Sequence, residues 1–141
     1  MDLTRALIAD AAAVQNGKLY VHGGGWDTLF LPQVPATYPS LALAFVLRVD
    51  ARESPSQIPI EIGLVDDQGQ AHPLHINGTV SVGQAGPDQV GGSIFVPQAV
   101  TVNFLELGKL GHYRFVIRSN REVLAEVPFR VLLATRTPVQ D

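Results

Sequence analysis

Between Ser40 and Val49 the residues alternate with a period of two: Leu41, Leu43, Phe45, Leu47 and Val49 fall on one side of an extended chain, and Ala42, Ala44, Val46 and Arg48 on the other. That period belongs to a strand and not to a helix, whose faces recur every three or four residues. The first set reads as core. The second carries three apolar residues before Arg48, so that face is open to being covered as well. Because a lone strand cannot bury even one face, the rest of the chain has to supply partners of the same kind.

It does so along its whole length, and about nine strands are expected. Ala6 to Val14 leads into Gln15-Asn16-Gly17-Lys18, where Asn-Gly between apolar runs marks a tight hairpin that returns Lys18 to His22 onto the first strand. A helix over the Ala-rich Leu7 to Val14 is the competing reading on propensity alone. Thr28 to Leu31 reads as extended, and Pro32, Pro35 and Pro39 then punctuate a crossing loop. Ile58, Ile60, Ile62 and Leu64 line one face of the next strand, followed by a turn at Asp66 to Gln70. A short strand around His72 to Ile76, a turn at Asn77-Gly78, and Thr79 to Val82 come after it. Gly83 to Gly92 is glycine-rich and reads as a mobile loop.

Ser93 to Val96 and Ala99 to Phe104 read as strand, with Pro97 marking an edge or a bulge. Tyr113, Phe115 and Ile117 point inward from His112 to Arg118, Ser119 to Glu122 turns, and Val123 to Leu133 returns with a bulge expected at Pro128. Tyr113, two residues after Gly111, resembles a tyrosine corner, in which the phenol ties back to upstream backbone. An ordinary buried tyrosine would leave the same sequence. These features predict an all-β chain: an antiparallel immunoglobulin-like β-sandwich of about seven to nine strands, one domain over residues 1–133 with a frayed tail at 134–141.

A chain of 141 residues is large enough to bury a core without staples. Only 16% of residues are charged, against about 25% in a typical domain, and this deficit favours a protein partner or a contact with a second copy. The net charge of -3 gives no electrostatic footprint for nucleic acid. With no cysteine, disulfides and thiolate metal sites are excluded. Arg5 and Asp10 interrupt the opening apolar stretch, which fails as an export signal, and the run Leu41 to Leu47 is too short to cross a bilayer. No membrane span and a cytoplasmic location are expected.

The most chemically suggestive run is Val21-His22-Gly23-Gly24-Gly25-Trp26-Asp27. A phosphate cradle places its glycines between a strand and a helix whose N-terminus supplies amide donors, and here prolines follow with no helix start. The glycines read instead as a bend or a close approach of backbone. Trp26, the sole tryptophan, is either a stacking platform or a core plug, and Asp27 reads first as a turn carboxylate. His72 and His75 fall on opposite faces of a regular strand, although Pro73 could break that regularity, so no metal site is expected. No catalytic residues and no cofactor are expected either: the nucleophile elbow is missing, and Asp66-Asp67 lacks a calcium loop. Asn77-Gly78-Thr79 matches a glycosylation sequon only formally. Arg114 and Arg118 are expected to pair across strands with Glu126 and Arg130 as neighbours.

Leu7 to Asp27 together with Gly111 to Val131 resembles a family of uncharacterised, mainly actinobacterial proteins known only as a domain of unknown function. The resemblance implies a small bacterial protein and no mechanism. Two functions remain, besides a structural protein of a phage or similar particle, which the sequence does not separate from the first of them. One is a non-catalytic interaction or assembly module, self-associating as a homo-oligomer or docking on another protein. The other is a small-ligand binder or enzyme with a pocket near His22, Trp26, Asp27 and the 83–92 loop.

Overall fold

A computed structural model of the chain describes residues 1–86 and 92–134. The tail expected over residues 134–141 lies, apart from Ala134, outside the described residues, as does the middle of the 83–92 loop. The elements are β1 (Asp2–Gln15), β2 (Lys18–Gly24), β3 (Thr28–Leu31), β4 (Ala36–Asp50), a short 3₁₀ turn (Ala51–Glu53), β5 (Ser56–Asp66), β6 (Ala71–Val82), β7 (Ser93–Leu107), β8 (Gly111–Ser119) and β9 (Glu122–Leu133). They form a four-stranded sheet in the order β2-β1-β4-β7 and a five-stranded sheet in the order β3-β9-β8-β5-β6. The two sheets pack as a sandwich, all-β as the alternation predicts.

The alternating stretch of β4 supplies the centre. Leu41, Leu43, Phe45, Leu47 and Val49 are all fully buried, and they face Ile62, Leu64, Phe115, Ile117 and Phe129 of the other sheet within one core cluster. Fully burying a side chain of this size contributes about 1.5–3 kcal/mol. Stacking adds geometry to that burial, for the Phe129 ring lies between Tyr113 at 5.6 Å and Phe115 at 5.2 Å. Strand, not helix, takes Leu7 to Val14, because Ala6 and Ile8 pack on Phe45 and Leu43 of β4 across the ladder. The β1–β2 turn uses Asn16 and Gly17 at φ 53 and 71, as its sequence requires.

Four expectations are corrected. β3 pairs with β9 in parallel, so the sandwich is mostly rather than wholly antiparallel. No turn occurs at Asn77-Gly78: β6 runs unbroken opposite β5, with Asn77 beside Glu61 and Gly78 beside Ile60. The inward alternation Leu74, Ile76, Gly78, Val80, Val82 outweighs the local turn signal there. β9 carries no bulge at Pro128, which stays in register with Arg114; the irregularity falls at Ile117/Arg118. Proline is tolerated because β3 begins to pair with β9 only at Arg130. Pro39 lies inside β4 rather than in the crossing loop before it.

That proline marks a change of face. In register it would oppose Phe104, which has a positive φ of 55 and is 75% exposed. On one side of this point Leu41 and Val102 point inward, and on the other Tyr38 and Leu105 do so. Both strands thus switch faces together, as a bulge allows, and Phe104 is thrown out into solvent. Tyr113 Oη donates to the Lys109 carbonyl at 2.8 Å, so the tyrosine corner exists as a contact.

Candidate functional site

Gly23 to Asp27 carries the chain from the edge of one sheet to the edge of the other, which explains the glycines one by one. At Gly23, φ is +60 and an added Cβ would lie 2.3 Å from Asp10 Oδ2; at Gly24 it would lie 2.5 Å from Val21 Cγ1. Gly25, at φ +85, donates its N–H to the Ile8 carbonyl at 2.9 Å. The Asp27 carbonyl then accepts from the Arg130 N–H at 2.8 Å, docking the segment on β9. The Gly25 N–H and the Asp27 carbonyl are thus spent on docking the segment, and no helix follows to complete an anion cradle.

The three residues singled out from this run do not converge. His22 is exposed on β2, beside Ala11. Asp27 accepts from Thr28 Oγ1 at 2.9 Å and borders a hollow shared with His112 and Arg130. Trp26 turns the other way, half-buried against the core, where its Nε1 donates to Asp10 Oδ1 at 3.1 Å. The described ends of the 83–92 loop belong to the opposite end of the sandwich. Ala85 N–H donates to Ser54 Oγ at 3.1 Å and the Gly92 carbonyl accepts from Ala51 N–H at 2.9 Å. That end lies beside Asp50, whereas Trp26 sits near the Ala9–Ala42 pair, roughly 27 Å away along β4.

What Trp26 does border is a cleft of about 310 Å³, lined by Asp10, Trp26, Thr28, Leu29, Phe30 and Tyr38. It opens where β1 leaves β4 after Ala9 and where β3 presents the edge that β9 does not use. Burial and then the charge of Asp10 raise the Tyr38 phenol above its ordinary pKa, so its hydroxyl keeps its proton at neutral pH. The sequence signal for this site is Asp10, which continues the series Ala6, Ile8 of β1, where an apolar residue is expected.

The histidine pair is separated as the spacing predicts, with His75 exposed and His72 turned toward the sandwich. His72 Nδ1 accepts from Leu74 N–H at 2.9 Å, which leaves Nε2 to donate to the Glu106 carbonyl at 2.5 Å and tie β6 to β7. Among the described residues no group of three His, Asp or Glu is placed to hold a metal ion.

The two outer faces of the sandwich differ sharply in charge. Glu61, Arg114, Arg118, Glu126 and Arg130 stand on the five-stranded sheet, with Arg114 Nε 3.5 Å from Glu126 Oε1. In the central rows of the four-stranded sheet the outward positions are Leu7, Ala9, Ala42, Ala44, Ala99 and Thr101. The chief ions of this face lie at its end, where Asp2 pairs with Arg48 and Arg5 adjoins Val46. Ala9, Ala42 and Ala44 have near-zero exposure, and Leu7, Val46, Pro97 and Ala99 are half-buried.

Residues 4–132 match the profile of a family of unknown function, DUF6941. No curated protein matches the sequence. A solved structure with some likeness is the Pseudomonas fluorescens alkylpurine DNA glycosylase AlkC bound to DNA containing an abasic site analog, at 13% identity and a TM-score of 0.47. The match covers 75% of this chain and 27% of that one, so the chain spans about a quarter of the glycosylase's length. No helix is long and apolar enough to cross a membrane among the described residues.

Proposed function

The chain belongs to DUF6941, a family of unknown function, and from that premise we propose that it is an interaction module that self-associates through the outer face of its four-stranded sheet. The observation that carries this reading is the contrast between the two outer faces. Both belong to one molecule in one solvent, yet one is studded with charge and the other is alanine, leucine, valine and proline through its centre. Contiguous apolar surface of this kind is characteristic of contact sites. The central alanines are already almost fully buried, so the accessible apolar part of this face is supplied by Leu7, Val46, Pro97 and Ala99, with Tyr20 and Phe95 exposed toward its margins.

A second copy fits as the occupant. An uncharged face meets its own copy without like-charge repulsion, and two-fold symmetry requires only self-complementarity. The face is extended by Ala11, Ala13 and Tyr20 of the β1–β2 hairpin, all of them outward in register. The cytoplasmic setting inferred from composition suits such an assembly and adds nothing to its mechanism.

The test is the mass in solution by light scattering over a concentration series. The expected result is a dimer that Ala99→Arg converts to a monomer while leaving the β-type circular dichroism unchanged. A strict monomer at high concentration would sink the self-association reading.

A further inference from the structure

The cleft beside Trp26 is separate from the docking face, because its lining residues Asp10, Leu29 and Tyr38 belong to the inward rows of their strands. Its chemistry is unusual for a rim cavity: aromatic residues Trp26, Phe30 and Tyr38, an apolar floor at Leu29, and one carboxylate. Asp10 makes no ion pair among the described residues. Its Oδ1 accepts the indole N–H, while Oδ2 is pressed against Gly23 with no donor, so acceptor capacity remains. We propose that this cleft binds a compact organic cation, an ammonium centre carrying methyl or methylene groups.

Three features favour that class of ligand. Aromatic faces attract cations through the ring quadrupole, most strongly for tryptophan, and methylated ammonium groups are the ligands such surroundings suit best. Donation of the indole N–H to a carboxylate pushes electron density into the ring and strengthens that attraction. Asp10 supplies a carboxylate whose charge reaches the Tyr38 hydroxyl and which makes no ion pair among the described residues.

A sugar ring is disfavoured by the count of free polar groups. Thr28 Oγ1 already donates to Asp27 Oδ1 at 2.9 Å and accepts from Arg130 Nε at 3.0 Å, which leaves Asp10 and the Tyr38 hydroxyl as the available polar side chains of the lining. Two side-chain groups satisfy few of the several hydroxyls of a pyranose, whereas one carboxylate and aromatic faces suffice for a cation that donates few or no hydrogen bonds.

Trp26 is the sole tryptophan, so its fluorescence reports this cleft without labelling. The full chain is titrated with choline, with its neutral carbon isostere 3,3-dimethyl-1-butanol, and with methyl glucoside, at constant ionic strength. Choline is expected to shift the emission saturably in the millimolar range, and neither neutral compound to do so. Asp10→Asn keeps an oxygen for the indole and is expected to weaken choline binding about tenfold, the effect of losing one close charge. Glu61→Gln, on the far outer face, leaves binding unchanged, and thermal melts establish that each variant is folded. Equal binding of the isostere or the glucoside, full affinity in folded Asp10→Asn, or no saturation by choline overturns the proposal.

Discussion

Gly23 and Gly25 separate two costs that a glycine can relieve. Both hold positive φ, but an alanine Cβ at Gly25 meets nothing within 4 Å, whereas at Gly23 it collides with the Asp10 carboxylate and its Cγ at 2.8 Å. Gly25→Ala is therefore expected to cost about 1–2 kcal/mol, the strain of the left-handed region alone. Gly23→Ala is expected to cost more, because Asp10 has to move and release the Trp26 indole. Urea denaturation gives both values, and the Trp26 emission should shift in the Gly23 variant alone. Gly78 behaves oppositely. It takes an inward position of β6 without positive φ, has open space where a Cβ would be, and borders an interior cavity of about 90 Å³ beside Phe45 and Ile62. Gly78→Ala is expected to stabilise by about 0.4–1 kcal/mol through a less flexible unfolded chain, with some gain in packing. A lower urea midpoint would refute this. At this scale the sequence exposes the glycine run but not its partner. Asp10 lies 13 residues before Gly23, and only its polar character at an inward position betrays it.

Between elements, the turn joining β5 and β6 is locked to the β7–β8 connection chiefly by the Asp66 carboxylate, with Asp67 Oδ1 3.6 Å from the same Lys109 ammonium. Asp66 Oδ1 accepts from the N–H groups of Gln68 and Gln70, each at 2.9 Å, and Oδ2 lies 2.9 Å from Lys109 Nζ. Lys109 in turn offers its carbonyl to Tyr113. The Lys109 ammonium, then the Gln70 amide, hold the Asp66 carboxyl below its ordinary pKa. The same contact raises Lys109. A depressed carboxyl contributes stability that is complete above the unfolded value of about 3.9 and is lost as pH falls through the folded one. Lys109 contributes below its unfolded value, and that share is lost only as pH rises through its raised one. Asp66→Asn should therefore lower the urea midpoint at neutral pH and flatten its decline in acid below about pH 4. Equal acid slopes in the two proteins would contradict it. Asp50, held at about 2 by Arg52, titrates in the same window. Its partner is exposed and two residues away, so the pair persists in the unfolded chain and moves stability less. The elements themselves were legible where period two runs unbroken, as in β4 and β8. The switch of face at Pro39 and Phe104 was not, because a positive φ at phenylalanine leaves no mark in composition. Nor was the parallel β3–β9 pair, since four residues of strand carry no information about the direction of a partner 102 residues away.

For the whole molecule, low charge acquires a location. The chain keeps its ions on the five-stranded sheet and at the ends of the other, and the centre of the four-stranded sheet is left apolar. Association through that face couples folding to concentration, because a dimer that dissociates on unfolding is favoured by mass action. The midpoint of thermal unfolding is then expected to rise as protein concentration rises. Leu7→Lys places a charge in the middle of the face at a half-buried position, where burying it against a partner sheet would leave it unpaired. In that variant the midpoint should no longer depend on concentration, while at high dilution it should approach that of the parent, since no contact within the monomer's core is removed. Calorimetry over a wide concentration range checks both halves. A parent protein whose midpoint is independent of concentration would mean that the apolar face serves a different partner, and a variant that melts lower even at high dilution would mean that Leu7 supports the monomer itself.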